Sequence, residues 1–163
     1  MIRVIFTLIV LLVANVACCQ DYYFKPDSSA VFDKSLGKEF FKQCSRYVPE
    51  NITGFYNIDS LEIKILERNF LKIFLLPPRA LRNNKNVFFL QKYGCQYIGV
   101  IINHKKYIYI NTFAVYEKSE WEHRFGGWRS GPIKICDGGD DYFGVLFSIK
   151  DKTFSQLEFN GFG

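Results

Sequence analysis

The chain is poor in the residues from which most metal and catalytic centres are assembled. It has two histidines and one methionine in 163 residues, and beyond the adjacent Cys18 and Cys19 its cysteines, Cys44, Cys95 and Cys136, stand far apart. A structural zinc site needs four ligands, commonly in close Cys or His pairs, so zinc is excluded for want of ligands. A nucleophile elbow is absent too: Gly127-Trp128-Arg129-Ser130-Gly131 is framed by glycines, but its serine is displaced from the central position that turn requires. Charge of neither sign accumulates. The formal net charge is only +5, and the basic residues are scattered as on solvated helix faces and loops, whereas nucleic acid would need a dense basic stripe interleaved with aromatics. An acidic partner or an anionic surface stays open. There is no internal repeat, and no run after the N-terminus approaches the roughly 20 apolar residues that a bilayer needs.

What the chain has in quantity is aromatic bulk, with 17 Phe, 10 Tyr and 2 Trp. Such side chains favour strands and large, stiff core contacts. With 48% hydrophobic residues, the chain has material for one real core, and its length suits one domain.

Arg3, the apolar run 4–13 and the small-residue stretch Ala14-Asn15-Val16-Ala17-Cys18-Cys19 follow the order of a signal peptide. Residues 1–19 are therefore set apart, 20–29 form a polar leader, and 30–163 are expected to make a single domain. The product is expected to be exported: periplasmic, envelope-tethered or secreted. Cleavage ahead of Cys18 or Cys19 would expose a cysteine for lipid, although Asn15 is a poor substitute for the aliphatic residue usual three positions earlier. Release without lipid is expected ahead of an anchor, and that lipid is the one membrane connection foreseen. An oxidising compartment favours one disulfide. Cys44 with Cys136 is the preferred pairing and Cys95 with Cys136 the alternative; three buried, reduced thiols remain open as well.

Along the chain, Val31, Phe32, Leu36, Phe40, Phe41 and Cys44 recur at spacings of three and four, which predicts a helix over 30–44. Asn51-Ile52-Thr53 matches an N-glycosylation acceptor. Asp59-Ser60-Leu61-Glu62 has the form of a capping box and opens a second helix to about residue 75, stopped by Pro77-Pro78. From Val87 the period becomes two. Strands are expected at 87–91, 97–102 and 107–111, with Asn103-His104-Lys105-Lys106 as a polar turn, and again at 133–136, 143–149 and 153–159. The fold class is α+β, two N-terminal helices packed on a mainly antiparallel sheet of five to six strands.

Several short motifs accumulate along this course: Gln43-Cys44-Ser45-Arg46, Gln96-Tyr97-Ile98-Gly99, Tyr109-Ile110-Asn111, Cys136-Asp137-Gly138-Gly139, Phe143-Gly144-Val145, Thr153-Phe154-Ser155 and Phe159-Asn160-Gly161. With the capped second helix they resemble an uncharacterised family of small exported bacterial proteins, candidate lipoproteins among them. The resemblance implies export and a single-domain architecture and transfers no catalytic residue.

Four candidate sites follow from residue chemistry. Asp137, Asp140 and Asp141 around Gly138-Gly139 are hard-oxygen ligands on a short loop, as calcium would want, but the spacing fits no known calcium loop and a shaped strand-connecting turn is preferred. Cys136 beside Asp137 could act as a nucleophile with His104 or His123 as base, against the preferred role of disulfide partner. Glu117, Glu120 and Glu122 with the aspartates could supply paired carboxylates. Trp121, Trp128 and Arg129, with Tyr116 and Phe125, have the make-up of an interface on the long connection 114–132, or else anchor that loop over the sheet. No metal or cofactor is implied. The expectation is a non-enzymatic exported binding or interaction module, of inhibitor or immunity type, that engages an unknown protein or envelope partner through the loop 114–132 and the adjoining acidic turn, with Trp121, Trp128, Arg129, Asp137, Asp140 and Asp141 as its binding surface. The alternative is a small secreted hydrolase using Cys136 or the aspartate loop, and a third reading is a purely structural envelope component.

Overall fold

The computed structural model describes residues 26, 28–76, 93–114 and 125–161. Its long helix is set by Asp59. One Asp59 carboxylate oxygen accepts from the backbone N–H groups of Leu61 and Glu62, both at 2.8 Å, and Glu62 reaches back to accept from the Asp59 N–H at 3.1 Å. These reciprocal bonds answer donors that a helix start otherwise leaves open. The helix runs Ser60–Asn69 and tightens into a 3-10 turn at Phe70–Leu75. Leu66, Phe70 and Ile73 are buried against the sheet; the step from four to three in that spacing matches the change of helix type.

In chain order the regular elements are β1 Ser28–Val31, the one-turn helix α1 Gly37–Phe40, β2 Ile52–Tyr56, α2 Ser60–Asn69, β3 Tyr93–Ile102, β4 Lys105–Ala114, β5 Tyr142–Ser148 and β6 Thr153–Phe159. They make an α+β fold around a six-stranded, mainly antiparallel sheet. β3 to β6 form a meander, and the outer edge of β3 is divided between two short strands: β1 lies parallel along Gly94–Tyr97 and β2 antiparallel along Gly99–Ile102. Gly99 is needed there, since a Cβ would run into the Tyr56 backbone carbonyl and ring. Asn103 and His104 alone form the β3–β4 turn, both in the left-handed region (φ 49° and 63°) as a two-residue type I′ hairpin requires. Lys105 and Lys106 already belong to β4.

Alternation sorts the aromatics onto two faces. One face carries Tyr93, Tyr97, Ile108, Ile110, Phe143, Phe147, Phe154 and Phe159 beneath α2 and its 3-10 extension. The other carries Ile98, Val100, Tyr109 and Leu146 under Phe32, Phe40 and Phe41, and further along it Phe113 and Tyr142 under Phe125 and Trp128. Lys106 joins the layers at one end, 3.2 Å from the Glu62 carboxylate and 4.4 Å above the Tyr56 ring.

Three expectations are corrected. The helix over 30–44 is instead β1, a 3-10 turn at Lys34–Leu36 and the single turn α1. Ala30 and Val31 pair with Gln96 and Tyr97 of β3, so an open sheet edge competes with helix, while Asp33 caps the short turn by accepting from Ser35 N–H at 2.9 Å. The helices thus alternate with strands and do not both precede them, because β2 occupies the segment that matches a glycosylation acceptor. Residues 133–136 form no strand. The expected strand 87–91 lies outside the described residues, as do the signal segment and Pro77-Pro78. Among the described residues no helix is long and apolar enough to cross a membrane.

β6 contains one irregularity, at the end of the sheet that faces segment 47–51. Its register with β5 slips between Gly144 and Leu146, and at the slip Gln156 takes φ 51°. This is the geometry of a bulge whose first position favours glycine, because a Cβ in that region costs about 1–2 kcal/mol. Gln156→Gly is expected to raise stability by about 1 kcal/mol, seen as a later urea midpoint at unchanged slope; an earlier midpoint would mean that side-chain contacts of Gln156 outweigh the strain.

Candidate functional site

The segment 125–138 has almost no regular structure, yet it lies against the sheet. Its backbone polar groups therefore need partners, and sheet side chains supply them. Gln96 and Asn111 face one another across β3 and β4 and are 0% and 1% exposed. Gln96 donates to the carbonyls of Trp128 and Gly131 at 2.6 and 2.8 Å, and its own oxygen accepts from Ile133 N–H at 2.8 Å. Asn111 donates to Gln96 at 2.8 Å and to the Ile133 carbonyl at 3.0 Å. Just past β6, Asn160 donates to the carbonyls of Ile135 and Asp137 at 2.6 and 3.3 Å.

Arg46 joins the two amide groups. One of its terminal nitrogens donates to Asn160 Oδ1 at 3.1 Å and the other to Asn111 Oδ1. Beside it the Cys44–Cys136 disulfide ties segment 44–47 to the irregular one, and Gly161 N–H donates to the Ser45 carbonyl at 2.9 Å. The motifs at 43–46, 96–99, 109–111, 136–139 and 159–161 thus meet in one place. Tyr109 lies below them, where burial raises its hydroxyl pKa and the Arg46 charge opposes the rise.

The candidate residues fare differently. Trp128 is 3% exposed, packed edge-on against Phe113 at 5.7 Å, and Arg129 lies 4.2 Å over its ring from the exposed side. It anchors the loop more than it offers a platform. Asp140 and Asp141 sit in a 3-10 turn, Gly139–Asp141, behind Gly138 at φ 104°, while Asp137 is exposed. Among the described residues no group of three His, Cys, Asp or Glu side chains is gathered for a metal. Cys136 is bonded to Cys44 and so has no thiol to attack with. His104 is at the β3–β4 tip, whereas Cys136 lies beyond the other end of β4, where Phe113 pairs with Tyr142. Trp121, His123, Tyr116, the three glutamates, Cys18 and Cys19 lie outside the described residues. Cys95 is a free thiol, fully buried, and burial pushes its pKa up to about 12.

Sequence reasoning missed the concave surface next to the disulfide. A cavity of about 340 Å³ opens between Tyr47–Asn51, the β3–β4 turn and Gln156 and Glu158 of β6. A second, of about 390 Å³, lies between Cys44–Tyr47 and Glu158–Gly161. They share Tyr47 and Glu158, and the Tyr47 side chain is 84% exposed. Asn51, Asn103 and Gln156 line the first cavity with φ of 57°, 49° and 51°. Three of the five left-handed non-glycine residues among those described therefore surround one hollow. Such conformations persist where the fold over-determines them and cluster at binding sites. The one advance signal was Asn51 and Asn103, since asparagine is the residue that tolerates this conformation best.

Two measurements test this arrangement. Asn111→Leu keeps the shape but leaves the Ile133 carbonyl and an Arg46 N–H buried without partners, which should cost about 3–5 kcal/mol in denaturant unfolding, whereas a loss under about 1 kcal/mol would show the network to be dispensable. For Cys95 the folded pKa lies above the ordinary value of 9.0, so the native state holds its proton longer than the unfolded one. Its contribution is complete below about pH 9 and is lost as pH rises toward about 12; Cys95→Ala should flatten that alkaline decline, and native Cys95 should resist alkylation at pH 8. No family model, no curated protein and no solved structure matches the chain.

Proposed function

We propose that the chain is an exported, non-enzymatic binding module that engages a protein partner of the envelope through the hollow beside Tyr47. The observation that carries this reading is the pair of adjoining cavities sharing Tyr47 and Glu158, with Tyr47 84% exposed. A largely exposed tyrosine in a folded protein presents a rigid, amphipathic anchor, and such aromatic side chains dominate the energetics of protein interfaces. The floor beneath it is held from two sides, by the disulfide and by Arg46, so little ordering would accompany association.

Export rests on the leader at 1–19 and agrees with a Cys44–Cys136 bridge, which reducing compartments disfavour. Glu50, Asn51, Asn103, Gln156 and Glu158 give the first cavity polar and acidic walls on a chain whose formal net charge is +5, so the partner surface should be basic or neutral and polar. The proposed contact surface thereby moves from the tryptophan loop to the hollow beside Tyr47.

The test compares capture of partners from the native envelope by the parent chain, by Tyr47→Ala and by Arg129→Ala. Tyr47→Ala should keep its melting temperature, since the ring is exposed, and should lose recovery of a saturable partner by about tenfold or more. Arg129→Ala should recover it as the parent does. Equal recovery by the parent and Tyr47→Ala, or loss confined to Arg129→Ala, would overturn the reading.

A further inference from the structure

Both halves of the Cys44–Cys136 bridge are exposed, whereas Cys95 is 1% exposed within the core beneath α2. Cysteine is among the residue types most often buried, so a bridge with both ends at the surface stands apart. Its exposure decides its chemistry. Exchange requires a thiolate to reach a bridge sulfur, and exposed disulfides are the labile, regulatory or catalytic ones, while protected ones resist reduction. Cys44 also borders the hollow of about 390 Å³ between Cys44–Tyr47 and Glu158–Gly161, a recess that Cys136 does not line. An incoming thiol therefore has its approach on the Cys44 side.

The fold around the bridge does not rely on it alone. Arg46 donates to Asn111 and Asn160, Gly161 N–H donates to the Ser45 carbonyl at 2.9 Å, and Lys134 Nζ lies 2.9 Å from the Glu39 carboxylate. These contacts hold both bridged segments whether or not the sulfurs are joined. Nor can the opened thiols re-pair with Cys95 in the folded protein. Cys95 adjoins Gln96 in β3 and so faces the opposite side of the sheet from the segment that Gln96 bonds. We propose that Cys44–Cys136 is a redox-active site, opened and closed by exchange with a dithiol while the protein stays folded. One thiolate of the dithiol attacks Cys44 Sγ, the Cys44–Cys136 bond breaks, and Cys136 leaves as a thiolate that takes a proton. The second thiol of the dithiol, as thiolate, then attacks the dithiol sulfur of the mixed disulfide and releases Cys44, which takes the other proton. The bridge gains two electrons and two protons, and the dithiol, losing them, becomes a disulfide. This goes beyond the protein-contact surface proposed above, and neither Tyr47 nor a captured partner enters the step, so either reading can fail alone.

The experiment treats the oxidised protein with dithiothreitol in the absence of denaturant, quenches aliquots with acid, alkylates the thiols present and maps Cys44, Cys95 and Cys136 by peptide mass. Cys95 serves as an internal clock for unfolding, because it can be alkylated only when the sheet opens. In parallel samples kept in dithiothreitol with a thiol reagent pulsed before the quench, Cys44 and Cys136 should become labelled about tenfold or more faster than Cys95. Their initial rate should rise with dithiothreitol concentration and stay constant in urea below the unfolding transition. Labelling of all three cysteines in step, or a rate that follows the unfolded fraction, would overturn the proposal, since the bridge would then open only by unfolding. The variant carrying both Cys44→Ser and Cys136→Ser should unfold cooperatively at a lower melting temperature with Cys95 still protected; an unfolded variant would overturn it too. Glutathione in place of dithiothreitol should leave its mixed disulfide on Cys44, and a mixed disulfide on Cys136 would overturn the choice of the attacked sulfur.

Discussion

A stretch of backbone without its own ladder can lie on a sheet only if its carbonyls and N–H groups are answered, and in this protein side-chain amides answer them. Gln96, Asn111 and Asn160 bond the carbonyls of Trp128, Gly131, Ile133, Ile135 and Asp137 and one N–H. Each such bond adds about 1 kcal/mol net, whereas an unanswered buried group costs about 1–3. The penalty for absence, more than the gain from presence, holds the arrangement together. Arg46 connects the two halves of the amide set, and the disulfide repeats that connection covalently. Cys44–Cys136 closes 92 residues of sequence separation, and a loop of that length corresponds to roughly 4–5 kcal/mol of denatured-state entropy. Network and bridge therefore secure the same junction by different physics.

The same junction determines where a ligand surface can form. Segment 44–51 rises from the disulfide past the inward-turned Arg46 to an outward Tyr47, and then meets the bulged strand β6. The bulge at Gln156 and the left-handed Asn51 and Asn103 bend three separate backbones around one hollow. Trp128, the obvious interface residue, is spent on packing, its ring on Phe113 and its backbone carbonyl on Gln96. Aromatic character says what a side chain can do at a surface. Whether it reaches one depends on what lies beneath.

How much was legible depends on the range of the interactions involved. The capped helix at Asp59, the hairpin at Asn103 and the strands from Tyr97, Tyr107, Tyr142 and Thr153 onward are written in neighbouring residues, so periodicity and turn chemistry recover them. The preferred bridge, Cys44 with Cys136, is the one the structure contains. The helix expected over 30–44 shrank to one turn because the edge of β3, more than fifty residues away, offers hydrogen bonds that a local spacing rule does not weigh. Residues 133–136 looked like a strand because Ile133-Lys134-Ile135 alternates, but Gln96, Asn111 and Asn160 take the positions that a strand neighbour would have filled.

By itself the sequence determined the fold class, the place of the β3–β4 turn though not its length, the start of the long helix and the alternation that puts aromatics on both sheet faces, since each depends on residues within a turn or a strand of one another. Only the tertiary structure decided that Arg46, Gln96, Asn111 and Asn160 form one buried set, that Cys95 stays a thiol, and that Tyr47 stands open beside two cavities. Those facts depend on groups 15 to 114 residues apart along the chain, brought together by sheet register. No local pattern encodes that register, because a slip of one residue turns every side chain to the opposite face.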